Sequence, residues 1–386
     1  MRTIKKTIKK CLDLCKSVLV FFFRLLPIRK KRIYFISNFG KKYSCNTKAY
    51  FEYLKENHGE EFEFYYCFHK KNKIEGAKSA PYMSLKDLYY LSTSKIIVNN
   101  FRFHKYFKKR KSQIYIQTWH GTTIPYKAVE AAVESSLSKK YVKEAKNDGK
   151  YIDILTCGSV VLSKFLKEYF WNNGKITNFG TPRCDVLINA TEKDIKKAKQ
   201  VVGVPEGKKL LVFAPTFKNN KTIQDEMVDS LKFIKLFKEK LNEDIIIGYR
   251  FHPNLADQVK DIKFENSINL TDVSDVNDVV LASDYLVSDY SSIIFDGVFA
   301  RKKCFSYAKD YDEYIKNERN LWIDYNNFPF RICKTEEELI EEFLKSKEYD
   351  TDVVLERIKI KFGTTEEGHA CDSLYNEMMS IINKEG

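Results

Sequence analysis

Two of the six histidines sit where a side chain could take or give a proton. His120 lies in Gln117-Thr118-Trp119-His120-Gly121-Thr122-Thr123 and His252 in Arg250-Phe251-His252-Pro253, each directly after a short β-branched or aromatic run. A neutral imidazole is suited to general-base work near neutral pH. Held beside Gly or Pro, each ring is fixed by loop backbone and has no helical face to bury. Either alone reads as a satisfied structural histidine; two at corresponding strand ends point to function. His58, His69, His104 and His369 lie in charged or mixed sequence and read as structural.

Three further segments supply groups that hold anions. In Ser288-Asp289-Tyr290-Ser291-Ser292-Ile293-Ile294-Phe295-Asp296 an apolar run ends and a helical one begins, so helix-start N–H groups and two hydroxyls stand together. Ala214-Pro215-Thr216-Phe217 ends another run with a hydroxyl. Gly180-Thr181-Pro182-Arg183-Cys184-Asp185 offers a turn, a guanidinium and a carboxylate. The candidate catalytic residues are therefore His120 and His252. The candidate substrate contacts are Trp119, Gly121, Thr122, Arg183, Asp185, Thr216, Arg250, Asp289, Ser291, Ser292 and Asp296. Thr, Ser, Arg and His gathered in one cleft are suited to phosphate chemistry.

No metal and no cofactor is expected. Asp310-Tyr311-Asp312 and Asp350-Thr351-Asp352 have the spacing of a metal-binding pair, but both lie in charged, loop-like sequence and read as solvated turns. The nine Cys include no CxxC pair, so neither a zinc site nor a disulfide framework is supported. The absence of GxxxxGK[ST], GxSxG and GxGxxG removes P-loop kinases, α/β-hydrolases and simple dinucleotide enzymes.

The elements that must position these residues alternate. Strand-like runs fall at 33–37, 62–68, 96–99, 114–117 and 152–156, then at 210–214, 245–251, 285–288 and 304–307. Helical patterns lie between them at 47–57, 128–146, 159–170, 191–202, 225–241 and 335–346. Such alternation predicts an α/β fold of two doubly wound parallel sheets facing a cleft, with ligands outside the carboxyl ends of the strands. A chain of 386 residues, 44% hydrophobic, is long enough for two cores. The expected division is an amphipathic helix at 1–30, an acceptor-side domain at 31–190, a donor-side domain at 191–365 and a C-terminal helix at 366–386, which returns to the first domain.

The formal charge of +14 is not spread evenly. Residues 1–32 carry eleven Lys/Arg against Asp13 alone, and a second cluster holds Arg102, Lys105, Lys108, Lys109, Arg110 and Lys111. Two local patches fit an anionic surface met at one edge rather than a nucleic-acid channel. At helical spacing Ile4, Ile8, Cys11, Leu12, Cys15, Val18, Leu19, Phe22 and Leu26 share one stripe, with lysines opposite. The apolar run is interrupted by Arg24 and is far short of the roughly 20 residues of a bilayer span. An in-plane anchor on an anionic membrane is the expectation; a helix packed on the protein body is the alternative.

In their order, Trp119-His120-Gly121-Thr122, Gly180–Asp185, Ala214-Pro215-Thr216-Phe217, Arg250–Pro253 and Ser288–Asp296 resemble the motifs of the CDP-glycerol glycerophosphotransferase family, the teichoic acid primases and polymerases. The sequence departs from that pattern at Cys184, where the family usually has Asn, and at Lys218-Asn219-Asn220, where it has Arg and an acid. The resemblance implies a GT-B-like fold, a CDP-glycerol or other CDP-polyol donor, and a lipid-linked saccharide acceptor at the cytoplasmic face of the membrane. It implies His120 as general base, Arg250 and His252 as donor phosphate ligands, and Ser291 and Ser292 as holders of the pyrophosphate. A nucleotide-sugar glycosyltransferase and a non-catalytic membrane scaffold are the competing readings; nucleic acid is not expected as a partner, and self-association is left open.

Overall fold

A computed structural model describes residues 15–70, 72–103, 107–121, 130–216, 218, 222–252, 255–317 and 328–384. Two all-parallel sheets organise them. The first has seven strands, β1 (Arg29–Ile36), β2 (Glu63–Phe68), β3 (Lys78–Pro81), β4 (Ser94–Asn99), β5 (Ile114–Gln117), β6 (Ile154–Leu155) and β7 (Lys175–Ile176), in spatial order β3-β2-β1-β4-β5-β6-β7. The second has six, β8 (Lys209–Ala214), β9 (Ile245–Tyr249), β10 (Ser267–Asn269), β11 (Tyr285–Ser288), β12 (Lys303–Tyr307) and β13 (Ile332–Cys333), in order β10-β9-β8-β11-β12-β13. Each sheet is doubly wound, so its direction of growth reverses once, between β1 and β4 and between β8 and β11. A crevice opens at each reversal, outside the carboxyl ends of the strands.

The central strands read as unbroken apolar runs because helices cover both faces. Tyr34, Ile36 and Ile97 face one core of the first sheet; Ile33, Phe35 and Ile96 face the other. Leu210 and Val212 likewise face one core of the second sheet, and Leu211 and Phe213 the other. The parallel pairing sets Ala214 beside Ser288 at the ends of β8 and β11.

Chain crossings tie the two units together. The C-terminal helix Ala370–Lys384 packs Cys371, Leu374 and Met378 into the first unit, against the core that holds Phe35 and Tyr50. The short helix Pro182–Ile188 already buries Cys184 and Leu187 in the core of the second unit, upstream of the boundary expected near 190. The helical pattern expected over 128–146 is a 3-10 turn, Glu130–Ser136, followed by the helix Lys139–Gly149, which Ser138 caps.

Two sequence expectations give way here. Asp310 is no solvated turn: its carboxylate lies 2.8 Å from Lys218 Nζ and accepts from the Tyr290 hydroxyl at 2.9 Å. Asp350 and Asp352, by contrast, are exposed as expected, and Asp350 caps the helix Thr351–Phe362, accepting from the N–H groups of Asp352 and Val353. Nor is the second basic cluster a uniform surface patch. Arg102 is buried with Asp148 (3.2 Å) and Glu130 (3.4 Å), and Lys109 pairs with Asp153 at 2.6 Å. Lys105 of that cluster lies outside the described residues.

Candidate active site

His120 follows β5, and its loop is held by side chains of the neighbouring strand ends. Gln117 donates to the Phe101 carbonyl (2.8 Å), and the Trp119 N–H donates to Gln117 Oε1 (2.9 Å). Trp119 takes φ +53°, a left-handed conformation that costs a non-glycine residue on the order of 1–3 kcal/mol. The His120 ring lies flat on Phe101, centroids 4.0 Å apart, with Trp119 at 4.2 Å. Its Nδ1 is 2.9 Å from the Asn100 carbonyl oxygen. A carbonyl can only accept, so Nδ1 carries the hydrogen and Nε2 keeps a lone pair. Burial, with the charges of Arg183 and Arg102, lowers the His120 pKa to about 4, while the Asn100 bond opposes the shift. The imidazole is therefore neutral at physiological pH, in the tautomer a general base needs.

Arg102 stands behind this loop. Burial works against its charge, but Asp148 and Glu130 hold its pKa above the usual arginine value. Its guanidinium lies 5.8 Å from the Trp119 ring and 4.8 Å from Phe170.

The Gly180–Asp185 turn lies at the junction of the two units. Arg183 and Asp296 are both buried and form an ion pair, and the Arg183 carbonyl accepts from Asn277 Nδ2 at 3.0 Å. Burial pushes the Asp296 carboxyl up to about 6, opposed by Arg183. Asp185 accepts from the Ala370 and Cys371 N–H groups (2.9 and 2.7 Å), at the start of the C-terminal helix. Asp289 is similarly engaged: Oδ1 accepts from the N–H groups of Thr216 (2.8 Å) and Tyr290 (2.6 Å), and Oδ2 meets Lys218 Nζ at 2.9 Å. Four residues expected at the substrate thus have polar atoms bound inside the protein, where they hold the loops that carry other candidates.

Arg250 and His252 follow β9. Arg250 Nη1 donates to the carbonyls of Leu270 (2.8 Å) and Val273 (3.2 Å), while His252 is exposed. Burial lowers the Arg250 pKa to about 10; Asp275 opposes this and the charge of Arg183 adds to it. Lys42, from the loop after β1, feels the same crowding: burial and then the Arg250 charge lower its pKa. Cations pressed together in this way are stabilised by an anion.

Thr216 ends the β8 loop with its Oγ1 buried and without a partner among the described residues, the state of a hydroxyl that a ligand oxygen would satisfy. Ser291 and Ser292 precede the helix Ile293–Phe299, and the Ser292 side chain makes no capping bond. Gly121, at φ +97°, joins the two halves: a Cβ there would lie 3.4 Å from Ser292 Oγ. The histidine loop of the first sheet therefore abuts the serine pair of the second. A cavity also opens at the ends of β8 and β11, lined by Ala214, Pro215, Lys218, Glu226, Ser288 and Asp289. Thr122, Phe217, Asn219, Asn220 and Pro253 lie outside the described residues.

Sequence reasoning missed Asn46, Lys42 and Lys218. Asn46 sits in a Ser-Cys-Asn-Thr string that reads as ordinary helix capping. Lys42 is one lysine among many. Lys218 stood out only as a departure from the family pattern, and its partners Glu226, Asp289 and Asp310 are scattered along the chain.

Two Rossmann-like, parallel-sheet units, with a histidine loop of one against a serine pair of the other, make a GT-B-like architecture. The chain belongs to the CDP-Glycerol:Poly(glycerophosphate) glycerophosphotransferase family, which matches residues 18–380. It is 28% identical over 379 residues to the teichoic acid poly(glycerol phosphate) polymerase of Bacillus spizizenii, covering 94% of this chain and 95% of that one. It is 29% identical to the teichoic acid glycerol-phosphate transferase of Staphylococcus aureus, covering 95% and 97%. The solved wall teichoic acid polymerase TagF superposes with a TM-score of 0.82 at 24% identity, over 100% of this chain and 98% of the other, and shares the fold.

Proposed function

We propose that the chain transfers glycerol phosphate from CDP-glycerol to a hydroxyl of a lipid-linked acceptor in teichoic acid synthesis, releasing CMP. The observation that carries this reading is the His120 imidazole, with Nδ1 bound to Asn100 and Nε2 left as acceptor, on a loop whose Gly121 abuts Ser292. Nε2 takes the proton of the acceptor hydroxyl. The oxygen attacks the phosphorus that bears glycerol, the bond from that phosphorus to the bridging oxygen breaks, and CMP leaves with the bridging oxygen. Such a displacement asks chiefly for alignment and charge stabilisation. Arg250, His252, Lys42 and the hydroxyls of Thr216, Ser291 and Ser292 are the groups that hold the donor's phosphates. Arg183, Asp185, Asp289 and Asp296 act by holding these loops in place.

The enzyme works at the cytoplasmic face of the membrane as a peripheral protein. Residues 15–23 are helical; Val20 is buried and Phe23 packs edge-on against Tyr89, 5.8 Å between centroids. Phe21, Phe22 and Leu25 face outward, 58%, 58% and 68% exposed, and Lys16, Arg29, Lys30 and Lys31 lie close to them along the sequence. Exposed apolar side chains with cations close by in the sequence fit an anionic bilayer surface. No described helix is long and apolar enough to cross a membrane; the stripe residues Ile4, Ile8, Cys11 and Leu12 lie outside the described residues.

Incubation with CDP-glycerol, CDP-ribitol and UDP-sugars, in the presence of a lipid-linked saccharide, tests the reading. CMP release with CDP-glycerol is expected; UDP release alone would replace it with glycosyl transfer.

A further inference from the structure

Asn46 is fully buried near the start of the helix Cys45–His58, and its carboxamide joins three separate segments. Nδ2 donates to the carbonyls of Thr118 (3.0 Å) and Trp119 (3.2 Å), and Oδ1 accepts the Arg183 N–H at 2.9 Å. The Trp119 carbonyl belongs to the peptide that leads into His120. Trp119 itself is in a left-handed conformation, which persists only where its surroundings hold it. On the other side, Arg183 is fastened to the second unit through Asp296 and Asn277. One carboxamide thus links the peptide before the histidine to the residue that anchors the junction of the two sheets.

We propose that Asn46 is a positioning residue, which fixes the Trp119–His120 peptide to the domain junction so that the imidazole keeps its place on the loop whose Gly121 abuts Ser292. This rests on the functional reading above for its effect on turnover, but not for its effect on the loop. An isosteric carboxylate at this position still accepts the Arg183 N–H, yet turns an oxygen towards two carbonyl oxygens. Alanine removes all three bonds. A displacement of about 1 Å at a reacting group can cost on the order of 100-fold in rate.

The test uses the full chain labelled with fluorotryptophan, whose three tryptophans give resonances assigned with Trp119→Phe. In Asn46→Ala the Trp119 resonance is expected to shift or broaden while the other two stay, and the kcat for CMP release from CDP-glycerol falls roughly 10- to 100-fold with KM for the donor within about two-fold. Should that variant fail to fold, Asn46→Asp carries the same two readouts with the side-chain shape preserved. An unmoved Trp119 resonance, or a loss that falls on KM alone, overturns the proposal. If the wild-type chain releases no CMP, the functional reading fails, and the resonance still decides whether Asn46 positions the loop.

Discussion

Gly121 and Ser292 lie in loops that follow strands of different sheets and come close together: a methyl group added at Gly121 would stand 3.4 Å from the Ser292 hydroxyl oxygen. The same glycine holds φ +97°, which L side chains rarely adopt. Gly121→Ala is therefore expected to strain the histidine loop by roughly 1 kcal/mol or more and to lower CMP release at least about 10-fold, while the unfolding midpoint moves by only a few degrees. Steady-state kinetics and a thermal melt on the same preparation check both halves.

His120→Ala is expected to lose at least about two orders of magnitude in turnover with the fold retained. In the wild type, the acid limb of kcat/KM is expected near pH 4, well below the ordinary histidine value of about 6.5. The linkage has a definite sign. Between those two values the unfolded chain binds more protons at this ring than the folded one, so the histidine's contribution to stability is complete above about 6.5 and is lost as the pH falls through about 4. A pH–rate profile and pH-dependent unfolding of wild type and His120→Gln measure the two effects.

The central strands were legible because burial on both faces forces uninterrupted apolar runs; Ile114–Gln117 and Tyr285–Ser288 have the bounds their sequence suggests. The edge strands Lys78–Pro81, Lys175–Ile176, Ser267–Asn269 and Ile332–Cys333 were not, since two to four residues, most of them partly exposed, carry no period. The histidine loops were visible as unusual residues after strands. What sequence could not show was which polar residues turn inward: Arg183 and Asp296 are 113 positions apart, and only the folded junction makes them partners.

That pair carries a stability prediction. Arg183→Met leaves Asp296 buried without its cation and is expected to cost about 3–5 kcal/mol, whereas Arg183→Met with Asp296→Leu costs markedly less. Denaturant unfolding of both single variants and the double variant measures the coupling.

Arg250 donates from Nη1 to the backbone carbonyls of Leu270 and Val273, in the segment after β10, so its guanidinium is aimed by that backbone. Arg250→Lys loses that fork and is expected to raise KM for CDP-glycerol several-fold or more, with little change in unfolding temperature. Lys42→Ala is expected to weaken donor binding in the same direction. Titration with CDP-glycerol, followed by calorimetry, separates these from an effect on turnover.

Deletion of residues 1–28 removes the outward-facing Phe21, Phe22 and Leu25 together with most of the N-terminal cations. The truncated chain is expected to shift from membrane vesicles containing anionic lipid to the supernatant on sedimentation. Unchanged association would remove the anchor from the account.

The most direct measurement follows phosphorus in a single turnover with CDP-glycerol and a lipid-linked acceptor. Equal amounts of CMP and glycerol-phosphate-extended lipid, formed by the wild type and reduced at least about 100-fold in His120→Gln, are the expected result. CDP-glycerol left intact by the wild type, or products formed as fast by His120→Gln, would contradict the assignment of this cleft to glycerophosphate transfer with His120 as its base.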